Sequence, residues 1–378
     1  MSSETTITEE TDSLNSPLPG DESEKVSYNI EFRGNAIEYF KIWIVNTGLS
    51  IITLGIYSAW AKVRTNRYIY GSTFLDSSSF QYTASPLGIL KGRLIAGAFF
   101  AVYMLFTRFF PEIAPLFFLL AMPFIPWMVV KSLRFRSRYS RYRNISLDFT
   151  GTVTEARKYW FWMYFLVIVT FGFIIPYIDF RQKEFMFNRN NYGQTPFNFS
   201  GKWENFFVIY ILGGLITFGL VIAALLLGGG IIAAAVAAIA VMTPDAMGTL
   251  LEDEAILAAL IPIAMMFLYL PAVMFMTAYK RTSVFNYLFN NTTLGSISFT
   301  STQKILTVFW IYLSNFFAIV FTLGILYPWA LMRLVRYRME NISLETDGDL
   351  DSFLASENQN VSATGEEIGE AFDFDISI

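Results

Sequence analysis

The sequence predicts a mostly α, polytopic helical membrane protein of about seven spans, with an internal threefold repeat and short strands forming a small extramembranous sheet. Three observations carry that reading. Of 378 residues, 54% are hydrophobic and 15% charged, against about 25% charged in soluble domains, so the polar surface is too thin for water. Several apolar runs approach the ~20 residues that cross a bilayer. Those runs also resemble one another.

The first run, Glu38 to Trp60, is followed at once by Lys62, Arg64 and Arg67, a positive flank that favours the cytoplasm. Leu87 to Phe110 is the second, interrupted by the prolines of Pro111 to Pro115 before Leu116 to Val130 resumes. Lys131, Arg134, Arg136, Arg138, Arg141 and Arg143 then fall within thirteen residues. A fourth span covers Tyr159 to Tyr177. Phe206 to Met242 is too long for one simple span at ~1.5 Å per residue, and Gly228, Gly229 and Gly230 in its middle suggest a break, a close contact or a re-entrant piece. After an acidic loop from Asp245 to Glu254, the remaining spans are Ala255 to Ala278 and Ile305 to Trp329.

A shift of 269 residues places Asn46 on Asn315, Thr53-Leu54-Gly55-Ile56 on Thr322-Leu323-Gly324-Ile325, Trp60 on Trp329, and Arg64 and Arg67 on Arg333 and Arg336. A weaker copy lies 117 residues after the first, with Phe32 and Gly34 on Phe149 and Gly151, and Gly55 on Gly172. The unit thus recurs three times, near 28–82, 145–199 and 296–346. Glycine after a helix of about this length provides a left-handed cap, and Pro176 or Pro328 four residues later suits the first turn of a new helix. Each span is expected to end, turn and restart as a basic helix at the headgroups. Between the helices, alternating segments such as Phe80-Gln81-Tyr82, Leu147-Asp148-Phe149 and Ile342-Ser343-Leu344 read as strands.

The Phe-x-Gly start, the Asn within the span, the TLGIY of Thr53 to Tyr57 or TLGILYPWA of Thr322 to Ala330, and the exit Trp-Ala-x-x-Arg-x-x-Arg-Tyr together resemble the YjgN family of bacterial inner-membrane proteins. The resemblance covers residues 26–346, the single membrane domain. It implies a multi-pass topology in a bacterial plasma membrane and brings no established activity, cofactor or catalytic residue. Ser58-Ala59 stands where the last copy has Tyr327-Pro328, and the middle copy is degenerate.

Charge is segregated. Residues 1–25 hold seven acids and one base, and 347–378 hold nine acids and none, which leaves 26 bases against 15 acids between 26 and 346. Both ends read as disordered acidic tails, with a tail folding back on the basic core as the alternative. The C-terminus is expected in the cytoplasm, because Arg333, Arg336 and Arg338 close the last span. The side of the N-terminus depends on the parity of the spans.

With neither Cys nor His, thiolate, haem, zinc and proton-shuttle chemistry lose their usual ligands, and no Walker loop, Gly-x-Ser-x-Gly or His-Glu-x-x-His is present. The chain is read as non-enzymatic, with no cofactor and no metal. Candidate contacts for lipid or anion are Arg64, Arg67, Arg134, Arg136, Arg138, Arg333 and Arg336. Candidates for a polar path are Asn46, Thr53, Asn315 and Thr322. Two functions are carried forward: transport or conduction of a small polar or anionic solute, and a non-transporting scaffold that binds anionic membrane lipid or a partner membrane protein. Nucleic acid is not expected, and no protein partner is named by the residues.

Overall fold

Among the described residues, short alternating segments flanked by tight turns form ten strands, which close into an antiparallel barrel. They are β1 (Val26–Phe32), β2 (Thr73–Leu75), β3 (Ser78–Tyr82), β4 (Ser140–Tyr142), β5 (Ile145–Phe149), β6 (Asn190–Tyr192), β7 (Thr195–Phe199), β8 (Thr292–Leu294), β9 (Ile297–Ser301) and β10 (Ile342–Thr346). The computed structural model describes residues 25–112, 116, 120–242, 254–346 and 350–357. Residues 1–24, 347–349 and 358–378 of the acidic tails, and 243–253 of the acidic loop, lie outside the described residues.

Neighbouring strands are joined alternately by a two-residue turn at one end of the barrel and a helical excursion from the other. Asp76 and Ser77, and Arg143 and Asn144, all have positive φ, the geometry that matches the twist of paired strands. Gly193 and Gly295 open the other two turns. Five excursions leave and return at a closed backbone clasp: Arg33 N–H to Ser72 O (2.8 Å), Thr83 to Tyr139 (3.0 Å), Thr150 to Arg189 (2.8 Å), Ser200 to Asn291 (2.9 Å) and Thr302 to Asn341 (3.1 Å). The helices within them are, in order, α1 (Ala36–Ile52) and α2 (Ser58–Gly71); α3 (Pro86–Phe109) and α4 (Ile125–Arg138); α5 (Val153–Arg157), which passes through a π-helical turn into α6 (Met163–Val169), and α7 (Ile175–Asn188); α8 (Trp203–Met242) and α9 (Glu254–Asn290); and α10 (Ile305–Phe321) and α11 (Tyr327–Glu340).

This architecture corrects the expected bundle of about seven spans with a small sheet. β1 pairs with β10, Val26 opposite Thr346 and Asn29 opposite Ser343, so the two ends of the folded region lie side by side. Every excursion begins and finishes at the barrel, which excludes an odd number of crossings. Among the described residues two helical stretches, Pro86–Phe109 and Trp203–Ala223, are long and apolar enough to cross a bilayer, and Ile305–Phe321 is a shorter apolar helix. The run Glu38 to Trp60 misleads because it joins a 17-residue helix to the start of its returning partner. The threefold unit is likewise replaced by five excursions. Gly228 to Gly230 lie within the continuous helix α8.

The turn that repeats in the sequence is a single backbone structure used in the first, third and fifth excursions. Leu54 and Gly55 have φ of 50° and 89°, Phe171 and Gly172 of 50° and 87°, and Leu323 and Gly324 of 50° and 91°. The glycine N–H in each reaches back five residues, to Ser50 O, Val167 O and Ile319 O at 2.7–2.9 Å, which satisfies a carbonyl left open by the helix end. A Cβ on Gly324 meets nothing within 4 Å, so the cost of Gly324→Ala is conformational. A loss of about 1–2 kcal/mol is expected, read as a lowered Tm of the detergent-solubilised chain.

Apolar side chains fill the barrel. Leu75, Tyr142, Ile145, Tyr192, Leu294, Ile297 and Leu344 are buried together. Inside, the Tyr142 hydroxyl donates to Leu75 O (2.7 Å) and the Tyr192 hydroxyl to Tyr142 O (3.0 Å). Burial holds both phenols above the usual tyrosine range.

Where strands enter the excursions, the Phe-x-Gly pattern has a steric cause. The rings of Phe32, Phe149 and Phe199 fold over the glycine two residues on, and a Cβ at Gly151 would stand 2.6 Å from the Phe149 ring and 2.7 Å from that of Phe185.

Candidate functional site

Arginines gather where the returning helices approach the barrel. Arg67 Nη2 donates to Ala84 O (3.3 Å), Arg134 Nη2 to Gly151 O (3.2 Å) and Arg336 Nη2 to Gly34 O (2.8 Å). Each reaches from one excursion to the entry carbonyl of the next, and Arg336 links the last excursion to the first. Asn286 Nδ2 makes the same kind of link to Gln303 O (2.8 Å). Carbonyls at a helix entry that would otherwise lack partners are thereby satisfied. Arg64, Arg136 and Arg138 are exposed and, among the described residues, their side chains make no hydrogen bond or ion pair. Arg333 lies over the Trp329 ring at 5.3 Å and donates to Ser314 Oγ (2.6 Å) and Asn315 Oδ1 (3.5 Å). The seven candidates, on the returning helices of the first, second and fifth excursions, thus make up a partial basic collar in which Arg67, Arg134 and Arg336 tie neighbouring excursions together.

The four polar-path candidates sit along the outgoing helices α1 and α10. Asn315 Nδ2 donates to Ala330 O (2.9 Å) and Asn46 Nδ2 to Ala61 O (3.5 Å), stapling each outgoing helix to its returning partner. The hydroxyls of Thr53 and Thr322 donate one turn back, to Leu49 O and Ala318 O, and accept the N–H groups of Tyr57 and Leu326. These hydroxyls serve the turn itself. Between α1, α2 and α11 runs an open groove of about 460 Å³ lined by Tyr39, Trp43, Asn46, Lys62, Thr65 and Tyr327, among others. The aromatic lining was not singled out by the sequence, because Tyr39 and Trp43 read there as ordinary apolar positions of a span.

At the turn end of the barrel a helix at 350–357 closes the mouth. Leu350 and Leu354 join the apolar interior at 2% and 4% exposure, with Phe353 packed beside them. Glu357, 3% exposed, accepts from Gln194 N–H (2.8 Å) and from Thr195 Oγ1 (2.6 Å). Arg143, at a β-turn, pairs with Asp76 (2.5 Å) and with Asp351. Charge counting read this stretch as part of a tail. The signal was the apolar spacing of Leu350, Phe353 and Leu354, three and four residues apart.

Exposed apolar side chains dominate the outgoing helices, including Ile51, Ile52 and Leu54 on the first excursion and Phe99, Phe100 and Leu105 on α3. Such continuous apolar surface marks a lipid or protein contact. Over 357 residues the chain is 27% identical to the inner membrane protein YjgN of Salmonella typhimurium, covering 86% of this chain and 90% of that one. A 149-residue stretch is 28% identical to the inner membrane protein YjgN of Escherichia coli strain K12, covering 38% of this chain and 35% of the relative. No solved structure matches. These likenesses support an inner-membrane protein whose activity is unknown. Residues 27–371 match the family described as bacterial protein of unknown function (DUF898), and the chain belongs to it.

Proposed function

We propose that the chain is a multi-pass inner-membrane scaffold, built from repeated helical excursions, that holds anionic lipid at its basic collar. The observation that carries this is the position of Arg64, Arg136 and Arg138. They are exposed and unpaired among the described residues, and each stands on a helix that returns from apolar surface to the barrel. Trp329, 40% exposed, precedes Arg333, the counterpart of Arg64, by four residues, as belongs to a headgroup-level belt. A base near an anionic surface is worth about 1 kcal/mol. The positive-inside rule then puts the barrel, and with it both ends of the folded region, on the cytoplasmic side.

A conduit for a small polar or anionic solute has less support. The barrel interior is apolar and its turn end is closed, and the threonine hydroxyls of the candidate path are engaged by backbone. The test is native mass spectrometry of the purified chain with its lipids retained. Replacing Arg64, Arg136 and Arg138 together by alanine is expected to lower retained anionic lipid severalfold while the fold persists. Unchanged lipid retention, with solute flux in liposomes, would reverse the choice.

A further inference from the structure

The two best-matched excursions differ in how their shared buried asparagine is satisfied. In the last, the amide of Asn315 is satisfied on both sides, its Nδ2 by Ala330 O and its Oδ1 by Arg333. In the first, Asn46 Nδ2 reaches Ala61 O in the same way, but Asn46 Oδ1 is enclosed and has no donor among the described residues. The equivalent arginine, Arg64, is exposed and does not reach it. The position of Ser314, which receives Arg333 in the last excursion, is held by Val45. An acceptor enclosed without a donor is costly to keep. Asn46 is 4% exposed and belongs to the wall of the groove between α1, α2 and α11.

The rest of that wall is chemically specific. Lys62 supplies a cation where the last excursion has Leu331, which itself borders the groove. Thr47, Ser50 and Thr65 add hydroxyls. Tyr39 OH is bonded to Thr65 Oγ1 (3.3 Å). Trp43, Ile51, Tyr327 and Leu331 are apolar or aromatic. Trp43 and Tyr327 lie 6.2 Å apart. A cation, an acceptor in want of a donor and an apolar flank within one groove match a molecule that has an anion, a hydroxyl or ammonium donor, and hydrocarbon.

We propose that this groove is a binding site for a phosphate ester bearing hydroxyl or ammonium donors, with the phosphate at Lys62 and a donor directed to Asn46. A membrane phospholipid headgroup and a soluble glycerol phosphate share that chemistry. The proposal deepens the lipid-binding reading but rests on different residues from the collar, so each can fail alone.

The full chain in nanodiscs, with phosphatidylglycerol or phosphatidylcholine as the lipid, provides the test by native mass spectrometry and by protection of α1 and α2 from amide exchange. Lys62→Ala, at an exposed position, removes the cation. Thr47→Phe fills the groove without touching it. Both are expected to weaken the tightest phosphatidylglycerol by about tenfold, the scale of one charge-assisted contact, while the Arg64, Arg136 and Arg138 variant retains it. Added glycerol phosphate that protects α1 and α2 in phosphatidylcholine discs assigns the site to a soluble ester; protection by phosphatidylglycerol alone assigns it to a lipid. If neither probe protects the groove, or if both variants keep the tightest lipid at unchanged affinity, the proposal is overturned.

Discussion

Leu354→Asp is expected to release the helix at 350–357 from the barrel mouth. Leu350 and Leu354 are almost fully enclosed, and burying a leucine contributes about 1.5–3 kcal/mol. The described helical residues 350–357 form about two turns, which have little stability of their own, so their order depends on this packing and on the Glu357 contacts with Gln194 and Thr195. A carboxylate placed among Tyr142, Tyr192 and Leu294 would find an apolar surrounding, which it cannot occupy in charged form without a large cost. Amide exchange across 350–357 should accelerate at least a hundredfold, while strands β4 to β9 keep their protection. Glu357→Gln retains the packing and one acceptor, so a smaller acceleration is expected. Unchanged exchange in Leu354→Asp would show that the segment is not held by its leucines.

The second large effect is expected at the Phe149–Gly151 clasp. Phe149 is 1% exposed and packs with Val130, Ala156 and Phe185; its ring meets that of Phe185 edge-on at 5.5 Å. Phe149→Ala is expected to cost about 3–5 kcal/mol. Gly151→Ala must push its methyl into both rings, and overpacking of this kind costs about 1–3 kcal/mol. Because the methyl enters space that the lost ring vacates, the double variant should cost less than the two singles together. Unfolding of the three variants in one detergent measures this, and strict additivity would refute the steric account of the Phe-x-Gly pattern.

That pattern shows what the sequence could and could not disclose. Period-two alternation marked segments that lie in β1, β3, β5, β7, β9 and β10, and the repeated Thr-Leu-Gly marked a turn whose φ values agree within a few degrees. The partners β2, β4, β6 and β8 have three residues each, too few to carry a period. Barrel closure depends on pairing between residues more than 300 apart, such as Ser27 and Glu345, and no local spacing encodes it. Once the closing pair was missing, span parity had no constraint. The basic residues were visible as candidate lipid or anion contacts, yet their division between interhelical ties, at Arg67, Arg134 and Arg336, and exposed positions, at Arg64, Arg136 and Arg138, depends on where the neighbouring excursion begins. Asn46 and Asn315 looked equivalent in sequence and differ only in whether an arginine reaches them.

Closure of the barrel by β1 and β10 is the claim on which the shared side of the two ends and the five excursions depend. The chain has no cysteine, so a pair introduced as Ser27→Cys and Glu345→Cys reports on it without background. These positions face each other across the antiparallel pair, where Cα atoms are about 4.5–5.5 Å apart, within the range that a disulfide spans. Mild oxidation in native membranes should cross-link the pair within one chain, giving a faster-migrating band that reductant abolishes, while Ser27→Cys with Thr195→Cys, on a strand elsewhere in the barrel, should remain reduced. Failure of Ser27→Cys and Glu345→Cys to cross-link, with the two thiols labelled from opposite sides of the membrane, would contradict the closed barrel.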